Sequence, residues 1–220
     1  MFCVRISLFA ILSSMTMAQQ QPVPVENEPH HHVVLRNEHI LVMRVTVPAG
    51  QSTQYHIHPR DRVAIGISDS TLAEQELNKA QTPPGPSTPG RISARREDVP
   101  YTHRVINMGQ TDFDVIDVEA FHRPEHPADG TAGTIISENP SLRVYKYVLS
   151  PGASSPMHTH ERPYLIVAAT TMQLKMTAPD GQSMSHEIKA GDFHWIDSKV
   201  THSLANVGST EGQIVEVELK

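Results

Sequence analysis

The stretch Gly152-Ala153-Ser154-Ser155-Pro156-Met157-His158-Thr159-His160 sets two histidines one residue apart, five residues beyond a glycine. Side chains alternate along an extended strand, so His158 and His160 project to one side, where two imidazoles can meet one ion. His202, followed by Asn206, is the natural third imidazole from a neighbouring strand. The same series stands earlier as Gly50, His56 and His58, then His103 and Asn107.

The two series belong to a longer repeat. An offset of 102 pairs Gly50 with Gly152, Asn37 with Asn139, Ser52 with Ser154, Arg60 with Arg162 and Leu72 with Leu174. An offset of 99 then pairs His103 with His202, Asn107 with Asn206, Gly109 with Gly208 and Thr111 with Thr210. Val118-Glu119 falls on Val217-Glu218 in the same register, so the chain reads as an internal duplication. Ile40 to Val47, rich in β-branched residues, and the apolar run Val63 to Ile67 predict strands. Val115 to Ala120 alternates, which predicts that Ile116 and Val118 are buried while Asp117 and Glu119 face water. Leu72 to Lys79 admits a helical turn or two, and Asn78 to Gly90, with four prolines, predicts a surface loop.

Composition sets outer limits. The 220 residues are 38% hydrophobic and 19% charged, ordinary for a soluble protein, and 17 prolines against 12 glycines favour turns and edges over helices. A net charge of −6 disfavours nucleic acid or an anionic membrane as partner. Fourteen histidines fit a metal site. Arg5, the apolar run Ile6 to Leu12 and Thr16-Met17-Ala18 read as a secretory signal over residues 1–18, too short to span a bilayer. Cleavage there removes Cys3, leaving a mature chain without cysteine, bound for the periplasm or secretion. Residues 19–36, with Pro22, Pro24 and Pro29, predict an irregular polar arm that exposes His30-His31-His32. Residues 37–121 and 139–220 form the two repeats, joined by a linker over 122–138.

Glycine, five residues, His-x-His and a distant His-x-x-x-Asn resemble the two motifs of the cupin superfamily, and their recurrence resembles a bicupin. The resemblance implies an all-β fold of two tandem antiparallel jelly-roll barrels. Gly191-Asp192 adds the usual opening of the second motif, whereas the first half has Ile92 in that place, with Gly90 nearby. The family commonly supplies a glutamate about four residues after His-x-His; Arg62 and Tyr164 stand there instead. Glu161, next to His160 on the opposite strand face, is a poor substitute.

The resemblance then implies a three-His site in each barrel: His56, His58 and His103 in the first, His158, His160 and His202 in the second. It implies a divalent ion (Fe, Mn, Zn, Ni or Cu) and a small-molecule ligand or substrate, anionic and chelating because three neutral imidazoles leave the ion's charge uncompensated. Asn107 and Asn206 read as groups that fix backbone or ligand orientation. Arg62 is a candidate clamp for a substrate carboxylate or a surface residue, and Tyr164 a hydrogen-bond donor or a packing residue. Two readings of function stay open: a dioxygenase-like metal enzyme, or a non-catalytic metal or small-ligand binding protein. Exposed barrel edges allow a homodimer.

Overall fold

The computed structural model describes residues 21–125 and 132–220; the signal-peptide reading of residues 1–18 lies outside them. The first repeat forms β1 (Val23–Pro24), β2 (His31–Arg36), β3 (Ile40–Val47), β4 (His56–His58), β5 (Arg62–Gly66), β6 (Ser70–Glu76), β7 (Gly85–Ser87), β8 (Ile92–Arg95), β9 (Tyr101–Asn107) and β10 (Phe113–Ala120). The second forms β11 (Ile135–Glu138), β12 (Leu142–Leu149), β13 (His158–His160), β14 (Tyr164–Ala168), β15 (Met172–Thr177), β16 (Ser183–Ile188), β17 (Phe193–Ile196), β18 (Val200–Asn206) and β19 (Gly212–Leu219). Each repeat is a barrel of two sheets. Their orders are β1-β4-β9-β6-β7 with β2-β3-β10-β5-β8, and β13-β18-β15-β16 with β11-β12-β19-β14-β17. The orders correspond strand for strand, except that β1 has no counterpart. No helix among the described residues is long and apolar enough to cross a membrane.

The barrels meet back to back. Ile40, Val42, Val63, Ile65, Ile116 and Val118 form one buried cluster with Leu142, Val144, Leu165, Val167, Val215 and Val217 from the second barrel. Each such side chain contributes roughly 1.5–3 kcal/mol as an upper figure, so the repeats share a core. Asn139 adds a polar tie, donating from Nδ2 to the backbone oxygens of Arg62 and Arg95.

That shared core overturns one expectation. Asp117 and Glu119 do not face water; they are 2% and 0% exposed. Both faces of β10 are interiors: Ile116 and Val118 pack on the other barrel, and Asp117 and Glu119 point into their own. The polar–apolar alternation therefore separates two buried environments, as it does for Glu216 and Glu218 on β19.

Other elements also depart from expectation. Residues 19–36 are not irregular throughout: β1 runs parallel to β4, pairing Val23 with His56, and β2 pairs antiparallel with β3 around a bulge between Val33 and Leu35. Pro24 closes an edge strand of two residues, where its missing N–H costs no ladder bond. Leu72 to Glu76 is strand rather than helix, and the chain turns at Asn78, whose φ is 63°. The loop that follows includes β7, and β11 already belongs to the second barrel.

The repeated asparagines hold the turn before β10 and β19. Asn107 donates to the carbonyls of Val47 and Thr111, and Asn206 to those of Leu149 and Thr210. Their Oδ1 atoms accept from the N–H groups of Gly109 and Gly208. Both asparagines thus bind backbone, and Asn107 Oδ1 also accepts from the Ser70 hydroxyl. Gly50 and Gly152 take φ of 73° and 78° and donate to the carbonyls of Asn107 and Asn206, a left-handed turn that a Cβ would strain. Gly90 fills the role of Gly191: they donate to the carbonyls of Gly66 and Ala168 in equivalent turns.

Candidate metal centre

In barrel 2 the register places His158 of β13 opposite His202 of β18, with His160 two residues on, facing the same interior. All three rings are buried. Across the interior, β19 presents Glu216, and this carboxylate gathers the three Nε2 atoms. It lies 3.4 Å from His158 and 3.0 Å from His160 through Oε2, and 3.2 Å from His202 through Oε1. One ligand atom from each residue lies within 4.8 Å of the others. The sequence reading missed Glu216 because it sought the acid within the first motif. The signal that could have found it is the alternation of β19, where Glu216 and Glu218 share the phase facing the histidines.

The arrangement suits an ion. Two donors each about 2.1 Å from one metal, at right to tetrahedral angles, lie about 3.0–3.4 Å apart, the spacing seen between Glu216 and the imidazoles. His202 Nε2 and Glu216 Oε1 are buried and face each other without forming a hydrogen bond. Nδ1 of His158 contacts the Pro156 carbonyl at 2.9 Å, which fixes the ring with Nε2 inward. His160 stands between two acids, Nδ1 3.2 Å from Glu218 and Nε2 3.0 Å from Glu216. Burial alone would lower its pKa, but the two carboxylates outweigh it and raise it to about 9. Burial would likewise raise Glu216, yet the three histidines hold its carboxyl well below the usual range. Barrel 2 therefore holds an imidazolium beside two carboxylates.

Three tyrosines surround the group. Tyr164 stacks on His160 with centroids 3.8 Å apart, and Tyr147 stacks on His158 at 5.2 Å, its hydroxyl 3.3 Å from Nε2. Tyr145 packs edge-on to His160. Burial, then the charge of Glu216, raises the pKa of Tyr147 and Tyr164, so both stay phenols. The Tyr164 hydroxyl is buried without a partner. Its ring also lines a cavity of about 800 Å³, walled by Ile166, Leu174, Met176, Ile188, Phe193 and Ile214, with Arg44, His186 and His194 among its polar residues. Trp195 packs instead against the shared core, and Glu161 pairs with Lys199 away from the site.

Barrel 1 keeps the scaffold and changes the contents. His56 opposes His103 in register, and His58 Nδ1 is 2.8 Å from Glu119, as His160 is bonded to Glu218. The acid matching Glu216 is Asp117, but Arg62 points inward and bonds it at 3.3 Å, with Glu97 3.9 Å away on the other side. Arg62 is therefore no surface residue. The group whose ligand atoms converge within 4.8 Å is His31, His56 and His58, with His31 supplied by β2. His31 is buried, contrary to the expectation of an exposed tract. His103 stays beside the group, its ring centroid 4.6 Å from His56 and 5.2 Å from His58. Burial, and then neighbouring positive charge, pushes His56 and His58 far down. Burial lowers His103 to about 4 against the opposing pull of Glu74.

No family model matches the chain. A sequence relative, the beta-alanine degradation protein BauB of Pseudomonas aeruginosa, is 28% identical over 87 residues, 40% of this chain and 90% of that protein. Among solved structures, AerE from Microcystis aeruginosa superposes with a TM-score of 0.59 at 13% identity, covering 88% of this chain and 98% of AerE. A cupin 2 conserved barrel domain protein from Leptotrichia buccalis gives 0.53 at 11% identity, over 86% and 88% of the two chains. A mutant salicylate 1,2-dioxygenase from Pseudoaminobacter salicylatoxidans, in complex with gentisate, gives 0.57 at 11% identity, over 90% and 76%. The fold is that of the cupins, twice in one chain.

Proposed function

We propose that this chain of two cupin barrels is a metal-dependent oxidoreductase of the dioxygenase type whose active centre is barrel 2, with His158, His160, His202 and Glu216 as ligands. The observation that carries the reading is the convergence of three buried Nε2 atoms on one buried carboxylate. A bound divalent ion, iron or manganese by preference for a mixed nitrogen–carboxylate set, would supply Lewis acidity and redox access to dioxygen. The substrate is a small organic acid or enol with an apolar body. Its apolar part would occupy the cavity that Tyr164 lines, and the buried Tyr164 hydroxyl, which has no hydrogen-bond partner, would donate to one of its oxygens. Glu216 cancels one unit of metal charge, so the pull on an anionic substrate is weaker than three imidazoles alone would exert. Dioxygen is the oxidant and both its atoms enter the product, so no external reductant is consumed. Support comes from the dioxygenase among the structures of like fold. We infer export from the leader-like sequence Arg5 to Ala18, which N-terminal sequencing of the exported protein would check.

The test is oxygen uptake by the iron(II)-loaded chain against hydroxybenzoates, β-diketones and enolisable oxo acids. Uptake that disappears in Glu216→Gln is the expected result. Metal bound at barrel 2 with no uptake across the panel, or with other metals, would leave a binding protein and end the enzyme reading.

A further inference from the structure

Outside barrel 2, the densest group of metal-ligating side chains among the described residues is the histidine cluster of barrel 1, and one member does not come from the duplicated motif. His31 lies on β2, and the matching offset in the second repeat falls on Gly133. Its ring centroid is 4.4 Å from His56 and 6.0 Å from His58, closing a face of the group that β4 and β9 leave open.

The rings of His31, His56 and His58 are each held from behind. His31 Nδ1 is 2.5 Å from Glu28, a buried carboxylate that also accepts the N–H groups of His30 and Gln54. His56 Nδ1 contacts the Gln54 carbonyl at 2.9 Å, and His58 Nδ1 meets Glu119, which Arg60 holds at 2.8 Å. Anchoring the outer nitrogen to a carbonyl or carboxylate is how proteins aim the inner nitrogen at an ion. The inner Nε2 atoms of His56 and His58 and both ring nitrogens of His103 are buried and have no hydrogen-bond partner, a costly state unless something else satisfies them. The acid that serves barrel 2 does not serve here, because Arg62 engages Asp117.

We propose that the segment carrying Glu28 and His31 completes a second metal site in barrel 1, an all-imidazole set of His31, His56 and His58 with His103 alongside, which takes a divalent ion of the zinc, nickel and copper class. Neutral nitrogen donors without a carboxylate favour these ions over manganese, magnesium or calcium. The arm is then part of the site: β1 runs parallel to the strand that bears His56, and Glu28 links the arm to Gln54 just before it. This site stands or falls separately from the reading of barrel 2.

Zinc(II) titration of the metal-free full chain, against a chromophoric chelator, tests it. Two tight equivalents per chain are expected. His31→Ala should weaken one equivalent at least tenfold while the Glu216-dependent equivalent is unchanged, and Glu28→Gln should weaken the same equivalent by a smaller factor. Circular dichroism checks that the variants fold, and His31→Gln, which keeps polar bulk, asks the same question should alanine disturb β2. Cobalt(II) spectra give an independent readout, with one of two visible bands lost in the His31 variants. Unchanged stoichiometry and affinity in both His31 variants would overturn the proposal. So would a single wild-type equivalent that disappears in His160→Ala.

Discussion

The two barrels carry equivalent histidines on equivalent strands, and they differ in the residues that face those histidines. Barrel 2 places Glu216 among its imidazoles and lines the surroundings with Tyr145, Tyr147 and Tyr164. Barrel 1 places Asp117 at the same position, ties it to Arg62 and adds His31. The position four residues beyond His-x-His separates the two copies: Arg62 in one engages the acid, whereas Tyr164 in the other brings it no cation. A duplicated scaffold thus holds three histidines at equivalent positions in each barrel, while the group added to them differs, Glu216 in one and His31 in the other. The cavities diverged as well, with about 800 Å³ of mostly apolar space beside Tyr164 against about 320 Å³ lined by Glu74, Arg91 and Arg95 in barrel 1.

The largest expected effect falls on the acid itself. Loss of a group that merely orients a ligand costs roughly 10–100-fold in metal affinity, so Glu216→Gln, which removes a ligand, should cost barrel 2 about a hundredfold or more. Calorimetry in the His31→Ala background isolates that site. A change of less than threefold would return barrel 2 to a three-His centre and remove the main difference between the barrels.

Exchanging the residues at the divergent position should follow. Tyr164→Arg brings a cation next to Glu216 and opposes a divalent ion at short range; at least about tenfold weaker metal binding is expected at barrel 2. Arg62→Tyr frees Asp117 and should strengthen metal binding at barrel 1 by about tenfold, with a shift in preference toward manganese and iron. If both exchanges leave affinity unchanged, Arg62 and Tyr164 are not what separates the sites.

A third difference concerns protons. His160 is doubly hydrogen-bonded to acids and stays protonated at neutral pH, with its pKa raised to about 9. His56 and His58 are buried neutral. Zinc entering barrel 2 should therefore release about one proton at pH 7.5, and zinc entering barrel 1 about none. Titration calorimetry in buffers of different ionisation enthalpy counts them, using His31→Ala for one site and Glu216→Gln for the other. Equal counts would contradict the assigned charge states.

Much of this was legible in the sequence and some was not, for reasons that particular residues show. Gly152 to His160 and its earlier copy carried the fold, because a barrel needs a left-handed glycine turn and a fixed strand phase at those points. Asn107 and Asn206 read as groups that fix either backbone or ligand orientation, and their hydrogen bonds go to backbone carbonyls. Glu216 was missed because strand alternation reveals which residues share a face but not what that face meets, and here both faces of β10 and β19 are interiors. His31 was missed because it is a ligand by tertiary placement alone: it lies outside the repeat, between prolines and a polar tract, and only the pairing of β2 with β3 brings it over His56. Arg62 could not be placed from charge, since an inward arginine is stable only when Asp117 and Glu97 are already there.

The smallest effect expected is on stability of the metal-free chain, where the barrels should respond to pH with opposite sign. His160 in the folded state has its pKa raised to about 9 from 6.5; burial opposes the rise, and Glu216 and Glu218 overcome it. A raised histidine contributes stability that is fully present below pH 6.5 and is lost as pH climbs through 9. His103 is the reverse case: burial lowers it from 6.5 to about 4, so the unfolded chain binds the extra proton between those values. Its contribution is present above pH 6.5 and is lost as pH falls toward 4. His56 and His58 act with it, while Glu119, raised to about 7 by burial and Asp117, opposes them with one group. Thermal unfolding of metal-free wild type, His160→Gln and His103→Gln between about pH 4.5 and 9.5 reads both terms. The wild-type advantage over His160→Gln should shrink as pH rises from 6.5 through 9, and its advantage over His103→Gln should shrink as pH falls from 6.5 toward 4. Slopes of the same sign would mean that His160 and His103 share one charge state, and that the acids near them do not act with opposite effect.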